Sequence, residues 1–192
     1  MPVYLVVLYI SALVWIFPAI RQFKSDFFYY FLFIALCDPF GLLNVYFLHI
    51  IDPNKSLTIV SLLMFYASQY GERINLSKWI LNIILALIYI YVLLYFEKQD
   101  IPNAILHLFI LYKFMKAALL NLHSEGELNF FYFVLVFYEI SLIFSKIVHF
   151  SGTDAAIIVF ISTISFQILI AIFFIIFRED SPALIFKIKP AK

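Results

Sequence analysis

Charged residues in this chain fall mostly in short breaks, and the breaks separate apolar runs of about the length that a helix needs to cross a bilayer core of about 30 Å. Seven such runs are legible, over Val3–Ile20, Phe27–Ile50, Ser56–Tyr70, Leu76–Phe96, Ile101–Leu122, Leu128–Phe150 and Ala155–Phe177. The expected fold class is an all-α integral membrane protein, a bundle of about seven transmembrane helices forming one domain over residues 1–177. A short basic and apolar tail, 178–192, follows and is expected to lie at the cytoplasmic interface. The third run covers only about 22 Å at roughly 1.5 Å per residue, so the count drops to six if it does not span. The breaks carry turn and helix-start chemistry: Asp52-Pro53-Asn54, Ile101-Pro102-Asn103 and Ser151-Gly152-Thr153-Asp154.

Composition closes off other classes. Apolar residues make up 65% of the 192 and charged ones 13%, against about 45–50% and about 25% in soluble domains. Leaving the excess in water would cost roughly 25 cal/mol per Å². A net charge of +1 offers no field for nucleic acid. Cys37 is the single cysteine, which excludes an internal disulfide and a multi-cysteine metal site. With four glycines there is no phosphate-cradling loop, and no internal repeat is legible. No cofactor or metal is expected.

Lysine and arginine set the orientation, since cytoplasmic loops retain them in excess. With seven spans and the N-terminus outside, Arg21, Lys24, Arg73, Lys78, Arg178, Lys187, Lys189 and Lys192 fall inside, and Lys55, Lys98 and Lys146 fall outside. The first run has no basic residue before it and Arg21 and Lys24 after it, the reverse of a cleavable leader, so it reads as a retained anchor. Richness in Phe, Ile and Tyr points to a low-GC bacterial genome and so to a bacterial cytoplasmic (inner) membrane. Tyr29, Tyr30, Tyr70, Trp79 and Tyr95 lie near run ends and read as headgroup-level belt residues. Asn54-Lys55-Ser56 and Asn75-Leu76-Ser77 match the glycosylation pattern but abut membrane boundaries.

An ionisable side chain at mid-bilayer costs at least about 2.5–3.5 kcal/mol on insertion scales, so each needs a partner or a purpose. Asp38 in the second run, Lys113 and Lys116 in the fifth and Glu139 in the sixth stand out, with His107 nearer the outer end of the fifth. Asp38, Lys113 and Glu139 fall at similar depth. Pairing of Asp38 or Glu139 with Lys113 or Lys116 is therefore expected. Such a cluster serves as a proton relay, as a small polar binding site, or as an ion pair that fixes helix order.

Other polar residues read more simply. Pro39 is expected to kink the second helix. Cys37, Gly41 and Asn44 share one helix face and suggest close approach of a neighbouring helix. Ser141, Ser145, Ser162, Thr163, Ser165 and Gln167 suit interhelical bonds. No His-x-x-x-His or Glu-x-x-His pair accompanies His49, His107, His123 and His149, so no metal site is expected.

Two functional classes follow. The first is a non-catalytic membrane module, a subunit or sensor-type unit of a larger assembly, whose partners are the bilayer and a membrane-protein partner or further copies of itself. The chain reaches only about 15 residues past its last run, so any output is expected to come from a partner. The second is a small proton-coupled translocator or an intramembrane enzyme using Asp38, Lys113 and Glu139. No lysine lies between Ala155 and Phe177 to hold a retinal.

Overall fold

The computed structural model describes residues 3–44, 52–69, 75–151 and 156–187. Seven helices account for most of them: α1 Val3–Arg21, α2 Phe28–Leu43, α3 Pro53–Ala67, α4 Leu76–Tyr95, α5 Asp100–Glu125, α6 Phe130–Ser151 and α7 Ala156–Ile176. Each apolar run has become a helix. Among the described residues, four helices are long and apolar enough to cross a membrane, over Leu76–Tyr95, Asp100–Ser124, Phe130–Phe150 and Ile158–Ile176. Shorter apolar stretches, Leu5–Arg21, Phe28–Leu43 and Lys55–Ala67, occupy α1, α2 and α3. The expected continuation of the second run through Ile50 lies outside the described residues.

α5 packs antiparallel on α6 through His107 with Glu139 and Asp100 with His149. It runs parallel to α3, with Thr58 meeting Gln99 and Ser61 meeting His107. Neighbour relations close a ring in the order α1, α2, α3, α5, α6, α7 and back to α1. α4 stands outside this ring against α3. A reciprocal amide pair, Gln69 with Asn82 at 3.2 and 3.0 Å, holds it there, with the Tyr66 hydroxyl donating to the Asn82 carbonyl at 2.7 Å. Tyr89 is its buried residue and donates to the Pro102 carbonyl. Leu81, Leu87, Tyr91 and Leu94 are exposed, as an apolar helix facing lipid requires.

Local sequence explains the ends. Asn75 caps α4, its side chain accepting from the Lys78 amide at 2.9 Å, so the Asn75-Leu76-Ser77 pattern is a helix start. Gly126, at φ 64°, closes α5 in the left-handed conformation that a residue without Cβ adopts readily. Gln22, buried after α1, donates to the carbonyls of Phe174 and Phe177 at 3.3 and 2.8 Å and satisfies the open C-terminus of α7. After α7 the chain turns back: Pro182–Leu184 forms a 3₁₀ turn, and β2 Ile185–Lys187 pairs antiparallel with β1 Glu127–Asn129. Asn129 and Tyr132 bond Glu179 and fasten this return.

Helix α2 continues across Pro39, and α1 likewise contains Pro18, with the Gln22 amide bonding the Pro18 carbonyl. One sequence expectation needs correction. Tyr30 is no belt residue: it is fully buried inside the ring, whereas Tyr29, Trp79 and Tyr95 are exposed.

The half of the ring at which α2 and α6 begin is filled with rings. Phe27 at the cap of α2, Phe31 of α2, Phe114 of α5, Phe131 of α6 and Phe174 of α7 are all buried, with centroids 4.7–6.4 Å apart in tilted and edge-on pairs. Aromatic packing closes that half of the bundle.

Candidate functional site

The other half of the ring is hollow. A cavity of about 370 Å³ lies where α1, α3, α5 and α7 begin, and all six ring helices line it. Most of its wall is apolar, including Leu8, Trp15, Ile34, Val60, Leu142 and Ile164. Set into that wall are Ser11, Asp38, Ser61, His107, Lys146, Thr163 and Gln167. A second hollow of about 180 Å³ shares Leu57, Ser145, Lys146 and Phe160 with the first and reaches Asp100 and His149. Those two residues pair at 3.0 Å near the end of the bundle, with His149 well exposed. The two hollows thus adjoin, and a floor of buried polar groups lies between the larger one and the aromatic-filled half.

The floor is a chain of side chains from four helices. Glu139 of α6 is 0% exposed, and its Oε1 accepts from the Tyr30 hydroxyl of α2. Its Oε2 lies 2.8 Å from Nδ1 of His107 on α5. On the far side of the imidazole, Nε2 lies 3.1 Å from Oγ of Ser61 on α3. Ser61 also donates to the Leu57 carbonyl one turn back at 2.9 Å. Helical periodicity aims His107 inward: from the cap residue Gln99, Asn103, His107, Ile110, Phe114 and Ala118 recur every three or four residues along α5, and all six are buried. This seam is polar along the hollow half and apolar along the plugged half. A carboxylate with two donors is the arrangement that makes burial of its charge tolerable.

Asp38 sits higher on the wall, with the Ser11 hydroxyl in hydrogen-bonding reach and the Lys146 ammonium as the nearby basic charge. Lys146 lies between the two hollows and feels both Asp38 and Asp100. Gln167 donates to Ser141 at 3.2 Å, tying α7 to α6.

Of the residues singled out in the sequence, the structure brings Asp38 and His107 to one cavity, buries Glu139 behind His107, and leaves two aside. Lys113 Nζ donates to the Ser68 carbonyl at 2.8 Å, and Lys116 is exposed on the outer face of α5. The expected lysine partner of Glu139 is replaced by His107 and Tyr30. The reason is rotational: Lys113 follows His107 by six residues, about 240° around the helix, so both cannot face one neighbour. Gly41 also departs from expectation. A Cβ built there meets nothing within 4 Å, so Gly41 faces the cavity and is no close-packing contact.

Sequence reasoning missed Tyr30, Ser61 and Lys146. Lys146 carried a usable signal, because it follows Glu139 by seven residues and so shares its helix face. Tyr30 and Ser61 are uncharged, and nothing in their own segments distinguishes them.

No protein-family model, curated protein or solved structure matches this chain. The reading of the site therefore rests on its own geometry.

Proposed function

We propose that this protein is a non-catalytic, membrane-embedded recognition module that holds a small amphipathic ligand in its one-ended cavity and serves as the sensor-type subunit of a larger membrane assembly. The observation that carries this reading is the division of the ring into a hollow polar half and an aromatic-filled half. A cavity of this volume is in the range that binds small molecules, with apolar walls for affinity and a few polar groups for orientation. A translocator needs a route to both sides, and the buried rings of Phe27, Phe31, Phe114, Phe131 and Phe174 oppose one. In the same reading all seven helices cross a bacterial cytoplasmic membrane. The N-terminus and the cavity mouth face outward, and Arg21, Lys24, Lys78, Arg178 and Lys187 gather at the inner end. The exposed apolar surface of α4 meets lipid or the helices of a partner.

Intrinsic fluorescence tests the binding reading. Trp15 lines the cavity and Trp79 is exposed on α4, so Trp79→Phe leaves one indole, at the site. Hexanol, hexanoate and hexyltrimethylammonium share a chain and differ in charge. Saturable shifts of Trp15 emission with any of them, abolished when Gly41→Phe fills the cavity, support binding. Linear, unsaturable changes that Gly41→Phe leaves intact would reject it.

A second reading has one observation in its favour. Ser61, His107 and Glu139 follow the contact order of a hydrolase triad, with Nε2 toward the hydroxyl and Nδ1 toward the carboxylate. Against it, Ser61 lies inside α3, where backbone amides are committed to the helix and cannot stabilise an oxyanion. Fluorophosphonate labelling lost in Ser61→Ala would favour the hydrolase, and absence of labelling the binding module.

A further inference from the structure

Helices α2 and α6 both begin at the aromatic-filled half and meet across the ring, where the Tyr30 hydroxyl bonds Glu139. Asp38 follows Tyr30 by eight residues and Lys146 follows Glu139 by seven. At roughly 1.5 Å per residue both therefore lie about 10–12 Å nearer the hollow half, at one level of the interior. Side chains of the two helices touch at the Tyr30 level. At the Asp38 level an acid from α2 and a base from α6 line the cavity of about 370 Å³ instead.

Opposite charges inside a bilayer ordinarily neutralise each other by contact. Among the described residues, no ion pair joins Asp38 to Lys146, and none joins either of them to another side chain. Asp38 has the Ser11 hydroxyl in reach. Lys146 feels Asp100 as well as Asp38, and the Asp100 carboxylate is held by His149 at 3.0 Å in the adjoining hollow. A ligand of zero net charge leaves the sum over these four groups as it stands, whereas a singly charged one changes it. A head that carries both signs gives Asp38 a cation and Lys146 an anion at once, each through charge-assisted hydrogen bonds.

The rest of the wall fixes the body of such a ligand. Leu8, Leu142 and Ile164 are aliphatic, and Trp15 and Tyr138 stand with ring centroids 4.8 Å apart. The volume is at the small end of the range of about 300–1,000 Å³ for ligand sites, which suits a single short apolar chain and leaves no room for a two-chain zwitterionic lipid.

We propose that the cavity binds an apolar zwitterion, an α-amino acid with a large apolar side chain, its ammonium against Asp38 and its carboxylate against Lys146. No covalent bond forms. This inference rests on the binding reading and names its ligand class.

The test uses 2-aminohexanoate and three relatives of its chain: hexanoate lacks the ammonium, pentylamine lacks the carboxylate and hexanol lacks both. Each is titrated at pH 7 against Trp15 emission of the Trp79→Phe chain in neutral detergent. One bond to a charged group is worth about tenfold or more, so 2-aminohexanoate binds at least about tenfold tighter than each of the others. Asp38→Asn abolishes the preference for 2-aminohexanoate over hexanoate and keeps the preference over pentylamine, and Lys146→Met does the reverse. A merely structural pair would weaken all four ligands together. Should either variant fail to fold, the ranking of the four on the Trp79→Phe chain decides. Binding of hexanoate, pentylamine or hexanol as tightly as 2-aminohexanoate overturns the zwitterion, as do preferences that both variants retain. Those outcomes leave the binding reading standing. Failure of all four and of hexyltrimethylammonium to bind saturably overturns both.

Discussion

Truncating Glu139 should cost more than removing the whole buried network to which it belongs. Glu139→Ala leaves the Tyr30 hydroxyl and the His107 N–H without an acceptor at a fully buried position. Each orphaned donor costs about 1–3 kcal/mol, and breaking a buried pair typically costs about 3–5 kcal/mol. Helices that remain inserted after unfolding find alternative partners, which moves the value toward the low end. A loss of about 3 kcal/mol follows, or more than a hundredfold in the folding equilibrium. Glu139→Gln keeps an oxygen for one donor and an amide that the imidazole can accept as its other tautomer, so its loss should be about 1 kcal/mol. The triple replacement Tyr30→Phe, His107→Leu and Glu139→Met removes every orphan and leaves Ser61 bonded to Leu57, so it should be more stable than Glu139→Ala alone. Reversible unfolding in mixed micelles, followed by circular dichroism, gives all three values. If Glu139→Ala lies within about 0.5 kcal/mol of the native chain, or the triple replacement is the least stable of the set, the buried-donor argument fails.

Three further outcomes follow from named contacts. Asn75→Ala removes the cap on α4 and should cost about 1 kcal/mol, read as faster hydrogen exchange in the amides of the first turn of α4. Gly41→Ala adds a methyl into open space within a helix and should stabilise by about 0.5–1 kcal/mol, measured by the same unfolding titration. Glu179, beyond the last helix, has its carboxyl raised above the usual range chiefly by burial, against the hydrogen bond from Tyr132. Its contribution to stability is full below the ordinary carboxylate range and is lost as pH rises through the raised value. Glu179→Gln should therefore gain on the native chain between acid and neutral pH, which paired melting curves would show.

What was legible in the sequence follows from what a single chain can encode. Apolar run length sets helix number, because the requirement to satisfy backbone groups without water admits little else, and all seven runs are helices in the structure. Periodicity likewise tells which face of a helix is buried: the seam Gln99, Asn103, His107, Ile110 and Phe114 can be drawn from spacing alone. Neither signal says which helices become neighbours. Depth matching placed Lys113 level with Glu139, but depth leaves rotation about the helix axis open, and rotation turned Lys113 toward Ser68 and His107 toward Glu139. The neighbour relation also explains why α4, among the most apolar helices, lies outside the ring. Its polar side chains Ser77, Lys78 and Asn82 fall within its first two turns, and beyond them the Tyr89 hydroxyl bonds the Pro102 carbonyl and lines no part of the cavity. The ring helices each carry a polar residue on the cavity wall: Ser11, Asp38, Ser61, His107, Lys146 and Gln167. Helix association in a membrane gains little from apolar contact alone, since lipid offers the same. In this protein, every helix that encloses the cavity brings a polar side chain to it, and those side chains set the chemistry of what the cavity can hold.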